Sequence, residues 1–170
     1  MSHRPLVALA AAALTAGTSL VALVPPASAA TPPWCRNADL HATYHATDAA
    51  TSHRFGRIVL TNTSHHTCRT GGYGGISYVG HGNGTQIGAA ADRVAGAHPV
   101  ITLRPGQRVR SEISETVAGV FDASTCHPTH VDGFRVFVPN STKSQFIAHP
   151  TTGCANSAVH LISHKAYRRP

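Results

Sequence analysis

Charged residues are scarce in this chain of 170 residues: they make up 12% of it, against 42% hydrophobic residues. So low a charge content excludes an intrinsically disordered polyelectrolyte, because such chains are rich in charge and poor in apolar residues. The same balance excludes a membrane protein with several spans. The length allows one folded domain with at most a short appendage, and it excludes a large multidomain enzyme.

Recognisable catalytic motifs are also lacking. The sequence has no Gly-x-Ser-x-Gly segment, which carries the nucleophile of many hydrolases. Only seven residues are acidic, and Glu112 and Glu115 are an odd number of positions apart, so a strand would point them to opposite faces. We therefore do not expect two carboxylates to share one cleft, as glycoside hydrolysis requires. The sequence predicts a protein that is not an enzyme.

No long amphipathic helical pattern occurs, and the best helical candidate is the short segment 89–94. Instead, short runs of β-branched and aromatic residues alternate with Gly, Pro and Asn, as in strands and turns. The predicted strands cover residues 40–44, 55–62, 76–79, 100–103, 109–113, 134–138, 145–147 and 159–162. The turn sequence at 104–107 predicts a hairpin over residues 100–113. About eight short strands favour an all-β fold, an immunoglobulin-like antiparallel β-sandwich.

Cysteines are few and far apart, which excludes a Cys-x-x-Cys zinc site. The four are Cys35, Cys68, Cys126 and Cys154. If the chain is exported, as its N-terminal segment predicts, an even number of cysteines indicates two disulfides. Four cysteines allow three pairings, and we favour the sequential one, Cys35 with Cys68 and Cys126 with Cys154. Each bond would then close a loop of about 30 residues and contribute about 3 to 4 kcal/mol.

The N-terminal segment has the features of a secretory signal. Residues 6–24 are apolar or small without a charge, and Pro25, Pro26 and the small-x-small sequence Ala27-Ser28-Ala29 follow. This order predicts a signal peptide at residues 1–29. An uncleaved membrane anchor is the alternative, because the apolar run is just long enough to cross a bilayer. We expect residues 30–165 to form one secreted β-sandwich domain and residues 166–170 to form a flexible basic tail.

A set of short motifs spread over the mature chain is similar to a known family. The motifs are Cys35-x-x-x-Asp39-Leu40, Leu60-Thr61-Asn62-Thr63-Ser64, Cys68, Gly72-Tyr73-x-Gly75-Ile76, Leu103-x-Pro105-Gly106, Cys126, Phe134-Arg135-Val136 with Pro139, and Cys154. Together they resemble the actinobacterial secreted family known as domain of unknown function 4232. The chain departs from the family at Gly74, where proline is usual. The resemblance implies a secreted or surface-attached β-sandwich with two disulfides, and it implies no catalytic residues.

Histidine is unusually frequent, with 13 residues in the chain. Imidazole is the commonest protein ligand for zinc and copper. The candidates for a metal site, if their loops meet in the fold, are His65, His66, His127 and His130. The simpler interpretation, which we prefer, is that the histidines are solvated surface groups. No cofactor is predicted.

Positive charge predominates, with 14 Lys and Arg against 7 acidic residues and a formal net charge of +7. Such a balance favours acidic partners. Arg104, Arg108 and Arg110 cluster around the predicted hairpin, and Arg108 and Arg110 share one strand face. These three arginines are the predicted polyanion contacts. Because histidines gain protons as the pH falls, binding is expected to strengthen in acid and to weaken with salt.

These features together predict a monomeric, non-catalytic β-sandwich module that is secreted, extracellular or associated with the cell wall. Its expected partner is an anionic cell-envelope polymer or another protein. Nucleic acid is not expected, because the chain is exported and has no recognition motif, and no membrane span is expected once the signal is removed. The alternatives are a histidine-rich extracellular protein that binds copper or zinc, and a small secreted enzyme or protease inhibitor.

Overall fold

A computed structural model describes residues 30–170; the predicted signal peptide at residues 1–29 lies outside the described residues. The described part contains eleven strands: β1 (Leu40–Ala49), β2 (His53–Asn62), β3 (Cys68–Gly71), β4 (Gly75–Gly80), β5 (Thr85–Ala90), β6 (Asp92–Arg93), β7 (Val100–Leu103), β8 (Arg108–Thr116), β9 (Pro128–Phe137), β10 (Ser144–Cys154) and β11 (Ile162–His164). A short helix, α1 (Ala123–Cys126), and two 3₁₀ turns, Asn37–Asp39 and Ala118–Val120, lie between them.

Two sheets form the sandwich. The first has the strand order β1-β2-β8-β11-β6, and the second has the order β10-β9-β4-β5. The short strands β3 and β7 pair separately. Neighbouring strands are antiparallel except β6 and β11, which run parallel. The predicted all-β sandwich with two disulfides is confirmed, while its immunoglobulin-like character stays a prediction.

The core lies between the inner faces of the two sheets. In β8, every second residue from Val109 to Glu115 is buried and the residues between them are partly exposed. Strand β2 alternates in the same way around the fully buried Ile58 and Leu60. Burying an aliphatic side chain of this size stabilises the fold by about 1.5 to 3 kcal/mol. This burial fixes which residues of β2 and β8 point outward, because one slip in register would reverse every side chain.

Both disulfides join segments that are distant in sequence. Cys35 is bonded to Cys68, which ties the segment before β1 to the start of β3. Cys126 is bonded to Cys154, which ties α1 to the end of β10. Because a crosslink restricts the unfolded chain, each bond stabilises the native domain.

The prediction that residues 100–113 form a hairpin is wrong, because its two strands do not pair with each other. Strand β7 pairs with β3, whereas β8 pairs with β2 and β11. The reason lies in the turn, where the Gly106 amide donates to the Asn62 carbonyl over 2.8 Å and the Asn62 amide donates to the Gln107 carbonyl over 2.9 Å. The turn is therefore held against the end of β2. This contact directs β8 to pair with β2 and leaves β7 to pair with β3.

The helical candidate at residues 89–94 is also wrong, because this segment contains the end of β5 and all of β6. Gly88 adopts a left-handed φ of 66°, which ends any helical path into the segment. Ala90 pairs with Ser77 of β4, and Asp92 pairs with Ser163 of β11. Six residues are too few for a helix that is stable by itself, so pairing with the sheets prevails.

The C-terminal residues 166–170, predicted as a flexible tail, are instead packed against the domain. Tyr167 is fully buried, and its amide donates to the Gly72 carbonyl over 2.8 Å. Arg168 exchanges two backbone hydrogen bonds with Arg110 of β8. Burial of the tyrosine ring offsets the fraying that is usual at a chain end.

Candidate functional site

Basic side chains from three neighbouring strands meet on the outer face of the first sheet. Arg108 and Arg110 alternate with buried residues of β8 and therefore point away from the core. Arg57 lies on the adjacent strand β2, with His45 of β1 directly opposite it. We call His45, Arg57, Arg108 and Arg110 the basic face.

The basic face surrounds a shallow cavity of about 230 Å³. Its lining consists of His45, Arg57, Val59, Arg108, Arg110 and Pro170. Pro170 reaches this position because the backbone pairing of Arg168 with Arg110 lays the last residues along β8. The packed C-terminal segment therefore forms one wall of the cavity.

The three arginines of the basic face, Arg57, Arg108 and Arg110, have no carboxylate partner in the part of the chain that the structure describes. The Nε atom of Arg110 is buried and has no hydrogen-bond partner in the described part of the chain. A buried donor without a partner costs about 1 to 3 kcal/mol, and the Nε atoms of Arg69 and Arg135 share this state outside the basic face.

The carboxylate of Glu112, which is the nearest one to Arg110 along β8, already has two cationic partners. Lys165 Nζ lies 3.1 Å from its Oε2 atom, and the Arg168 guanidinium donates to Oε1. The hydrogen bond from Lys165 lowers the pKa of Glu112, with the charges of Arg168 and Lys165 acting in the same direction against burial. Two cations offset this one negative charge, so Glu112 does not neutralise the basic face.

Arg104, the third arginine of the predicted polyanion contact, does not line the cavity. It lies in the exposed turn before β8, where its amide is bonded to the Gln107 side chain over 2.9 Å. The structure brings Arg108 and Arg110 together and adds His45 and Arg57. Reasoning from sequence missed these two residues because their neighbours depend on strand pairing, which the local pattern does not determine.

The four candidate metal-ligating histidines are not gathered into a site. His66 Nε2 is 3.7 Å from an Asp39 oxygen, and His130 Nε2 is 3.3 Å from an Asp132 oxygen. His127 follows α1 in a left-handed conformation, and His65 is exposed in the loop after β2. Within residues 30–170, no group of three or more His, Cys, Asp or Glu side chains is arranged to hold a metal ion.

Sequence reasoning also missed a set of ionisable side chains between the two sheets. Tyr78 of β4 donates a hydrogen bond to Glu115 Oε2, and Tyr44 of β1 donates to Oε1 over 3.3 Å. His149 Nε2 of β10 lies 3.0 Å from Oε2, and its ring stacks on Phe134 with centroids 4.5 Å apart. We call Glu115, Tyr44, Tyr78 and His149 the buried cluster.

The buried cluster extends from the core, where Glu115 and Tyr78 lie, to its edge, where Tyr44 and His149 are partly exposed. Glu115 is 2% exposed and Tyr78 is 4% exposed. Burial, followed by the charge of Glu115 and the hydrogen bond to it, raises the pKa of Tyr44 to about 12. The same causes raise the pKa of Tyr78. Both phenols therefore stay protonated as donors to the carboxylate, and the cluster acts as a polar link between the sheets.

The sequence of β8 contains an indication of the buried cluster. Glu112 and Glu115 do lie on opposite faces of the strand, as their odd spacing predicts, and Glu115 lies on the face that is buried. A carboxylate on that face needs hydrogen-bond donors inside the core. The strand pattern could have indicated this requirement, although not which tyrosines meet it.

None of the helices in the described part of the chain is long and apolar enough to span a membrane.

Comparison with known proteins places the chain in a family. No curated protein matches the sequence, and no solved structure matches the fold. The sequence profile of the Domain of unknown function (DUF4232) matches residues 35–164, from the first cysteine to the end of β11. The chain therefore belongs to the DUF4232 family.

Proposed function

We propose that this domain is an extracellular, non-catalytic module that binds an anionic polymer through its basic face. The observation that carries the proposal is the cavity lined by three arginines without a carboxylate partner in residues 30–170. The guanidinium group presents a planar fork of donors that matches carboxylate and phosphate oxygens in pairs.

The shape of the site favours a polymer over a small ion. Arg57, Arg108 and Arg110 lie on two adjacent strands around an open cavity, so a ligand that extends across the sheet contacts more of them than a single small ion does. The neighbouring strand β1 adds His41 and His45 on the same outer face. A chain of repeated carboxylates or phosphates contacts several of these groups at once, which raises the overall affinity.

Salt and pH tests follow from this electrostatic origin. Binding of polyphosphate and of polyglutamate to the purified protein is measured by calorimetry at increasing salt concentrations. We expect the affinity for both to fall as salt screens the arginines. We also expect it to rise as the pH falls from 7 to about 5.5, because imidazoles gain protons in this range while the glutamate carboxylates stay ionised. An affinity indifferent to salt and pH would contradict the electrostatic account, and a preference for one polymer would identify the anionic group.

A mutational test separates the basic face from general positive charge. Arg110→Ala is expected to weaken binding about tenfold or more, since a hydrogen bond to a charged group contributes about 1.5 to 3 kcal/mol. Arg104→Ala removes the same charge close by but outside the cavity and is the matched control. Equal losses for both variants would show that net charge, and not the cavity, determines binding.

A further inference from the structure

A second and larger cleft lies at the end of the domain where the first disulfide is placed. Residues 34–38 form one side, and residues 140–143, in the loop between β9 and β10, form the other. The cleft has a volume of about 490 Å³. It is separate from the basic face, and the two sites have no lining residue in common.

Trp34 provides a flat aromatic surface in this cleft. The residue is 38% exposed, so part of the indole is open to a ligand. The Arg69 guanidinium lies 4.8 Å from the ring centroid and covers part of the indole. The position of Trp34 is also restrained by the adjacent Cys35–Cys68 bond and by the Cys35 amide, which donates to the Arg69 carbonyl over 2.9 Å. The backbone of Trp34 is therefore restrained, and the Arg69 contact favours one position of the ring before any ligand arrives.

The opposite side of the cleft is polar and internally braced. The Ser141 hydroxyl donates to the Lys143 carbonyl over 3.1 Å and accepts from the Lys143 amide over 3.0 Å. Asn140 adopts a left-handed φ of 60° at the start of this loop. Within the described residues, the side chains of Asn140, Thr142 and Lys143 have no hydrogen-bond partner of their own. They supply an amide, a hydroxyl and an ammonium group to a bound molecule.

This combination of groups indicates the ligand class. The apolar C–H face of a sugar ring packs on an indole, and amide and hydroxyl side chains hydrogen-bond to the sugar hydroxyls. Lys143 adds positive charge at the cleft, whereas the charge of Arg36 is offset by Asp39, 3.4 Å away. We propose that the cleft binds a carboxylate-bearing saccharide, with the ring stacked on Trp34 and the carboxylate directed to Lys143.

The only tryptophan of the chain is Trp34, so tryptophan fluorescence reports on this cleft alone. Short oligogalacturonates are the acidic probe, and cello-oligosaccharides of equal length are the neutral one. We expect a saturable fluorescence change with the acidic probe and an affinity about tenfold weaker for the neutral probe, from the loss of the charge-assisted contact.

Variants assign the roles within the cleft. Lys143→Ala is expected to remove the preference for the acidic probe. Asn140→Gly, which tolerates the left-handed backbone, is expected to weaken both probes. Phe146→Ala, at an exposed aromatic residue outside the cleft, is the matched control and is expected to leave binding intact. Arg110→Ala is expected to do the same, which separates this site from the basic face.

The proposal is overturned if neither probe produces a saturable fluorescence change. Equal affinity for the acidic and neutral probes would also overturn it, as would binding that depends on Arg110 but not on Lys143.

Discussion

His164 is the one histidine that the fold buries completely within the described residues, at 1% exposure. Its Nδ1 atom lies 3.3 Å from the Ser111 hydroxyl, and its ring meets the edge of Tyr73 with centroids 5.6 Å apart. Burial, followed by the nearby charge of Arg93, lowers the pKa of His164 to about 4. The folded domain therefore holds this imidazole in its neutral form.

The low pKa of His164 predicts a loss of stability in acid. The unfolded chain takes up this proton near pH 6.5 and the folded chain only near pH 4, so stability is complete above pH 6.5 and falls between these values. The shift corresponds to about 3 kcal/mol. In denaturant titrations across this range, His164→Gln is expected to lose less unfolding free energy than the parent, by about that amount. His65→Gln, at an exposed loop histidine, should keep the parent's pH dependence; an unchanged pH dependence in His164→Gln would contradict the assignment.

At the scale of the elements, the buried cluster links the two sheets through one strand. Glu115 of β8 belongs to the first sheet, and Tyr78 and His149 belong to the second. A buried carboxylate is tolerated in a core only when donors surround it. The contact fixes the position of β8 relative to β4 and β10, in addition to the apolar packing around Phe134.

Two substitutions in β8 test this link. Glu115→Gln keeps the side-chain shape but exchanges an acceptor for a donor between two tyrosine hydroxyls, which is expected to cost about 1 to 3 kcal/mol. Glu112→Gln makes the same change on the outer face of the same strand, where an exposed ion pair contributes about 0.2 to 1 kcal/mol. Chemical denaturation of both variants gives the comparison. An equal or larger loss for Glu112→Gln would show that the buried cluster does not hold the sheets together.

Local pattern predicts seven of the eleven strands, because alternation such as that in β2 and β8 follows directly from one-sided burial. It misses β3, β5 and β6, and the predicted strand at 159–162 overlaps β11 at one residue only. Their partners were not, since the turn at residues 104–107 is compatible with a hairpin but is held by Asn62 instead. The burial of Tyr167 was equally hidden, because its contact with Gly72 spans most of the chain. Half of the basic face, Arg108 and Arg110, follows from the alternation along one strand. The other half, Arg57 and His45, requires the register of β2 with β8 and of β1 with β2.

At the scale of the whole molecule, positive charge is distributed unevenly over the two sheets. The first sheet presents the basic face and, beside it, Glu112 with its two cations. The outer face of the second sheet has Phe146 exposed and Arg135 stacked against Phe137, 5.6 Å from the ring centroid. An anionic polymer is therefore expected to approach the first sheet, and the formal net charge of +7 draws it toward the protein from a distance.

The most direct test of the basic face is a map of backbone amide shifts in the NMR spectrum as polyphosphate is added to the protein. We expect the largest shifts in β1, β2 and β8 around His45, Arg57, Arg108 and Arg110, and their disappearance at high salt. Shifts concentrated on the outer face of β4, β9 and β10, or spread evenly over all lysines and arginines, would contradict the proposed function.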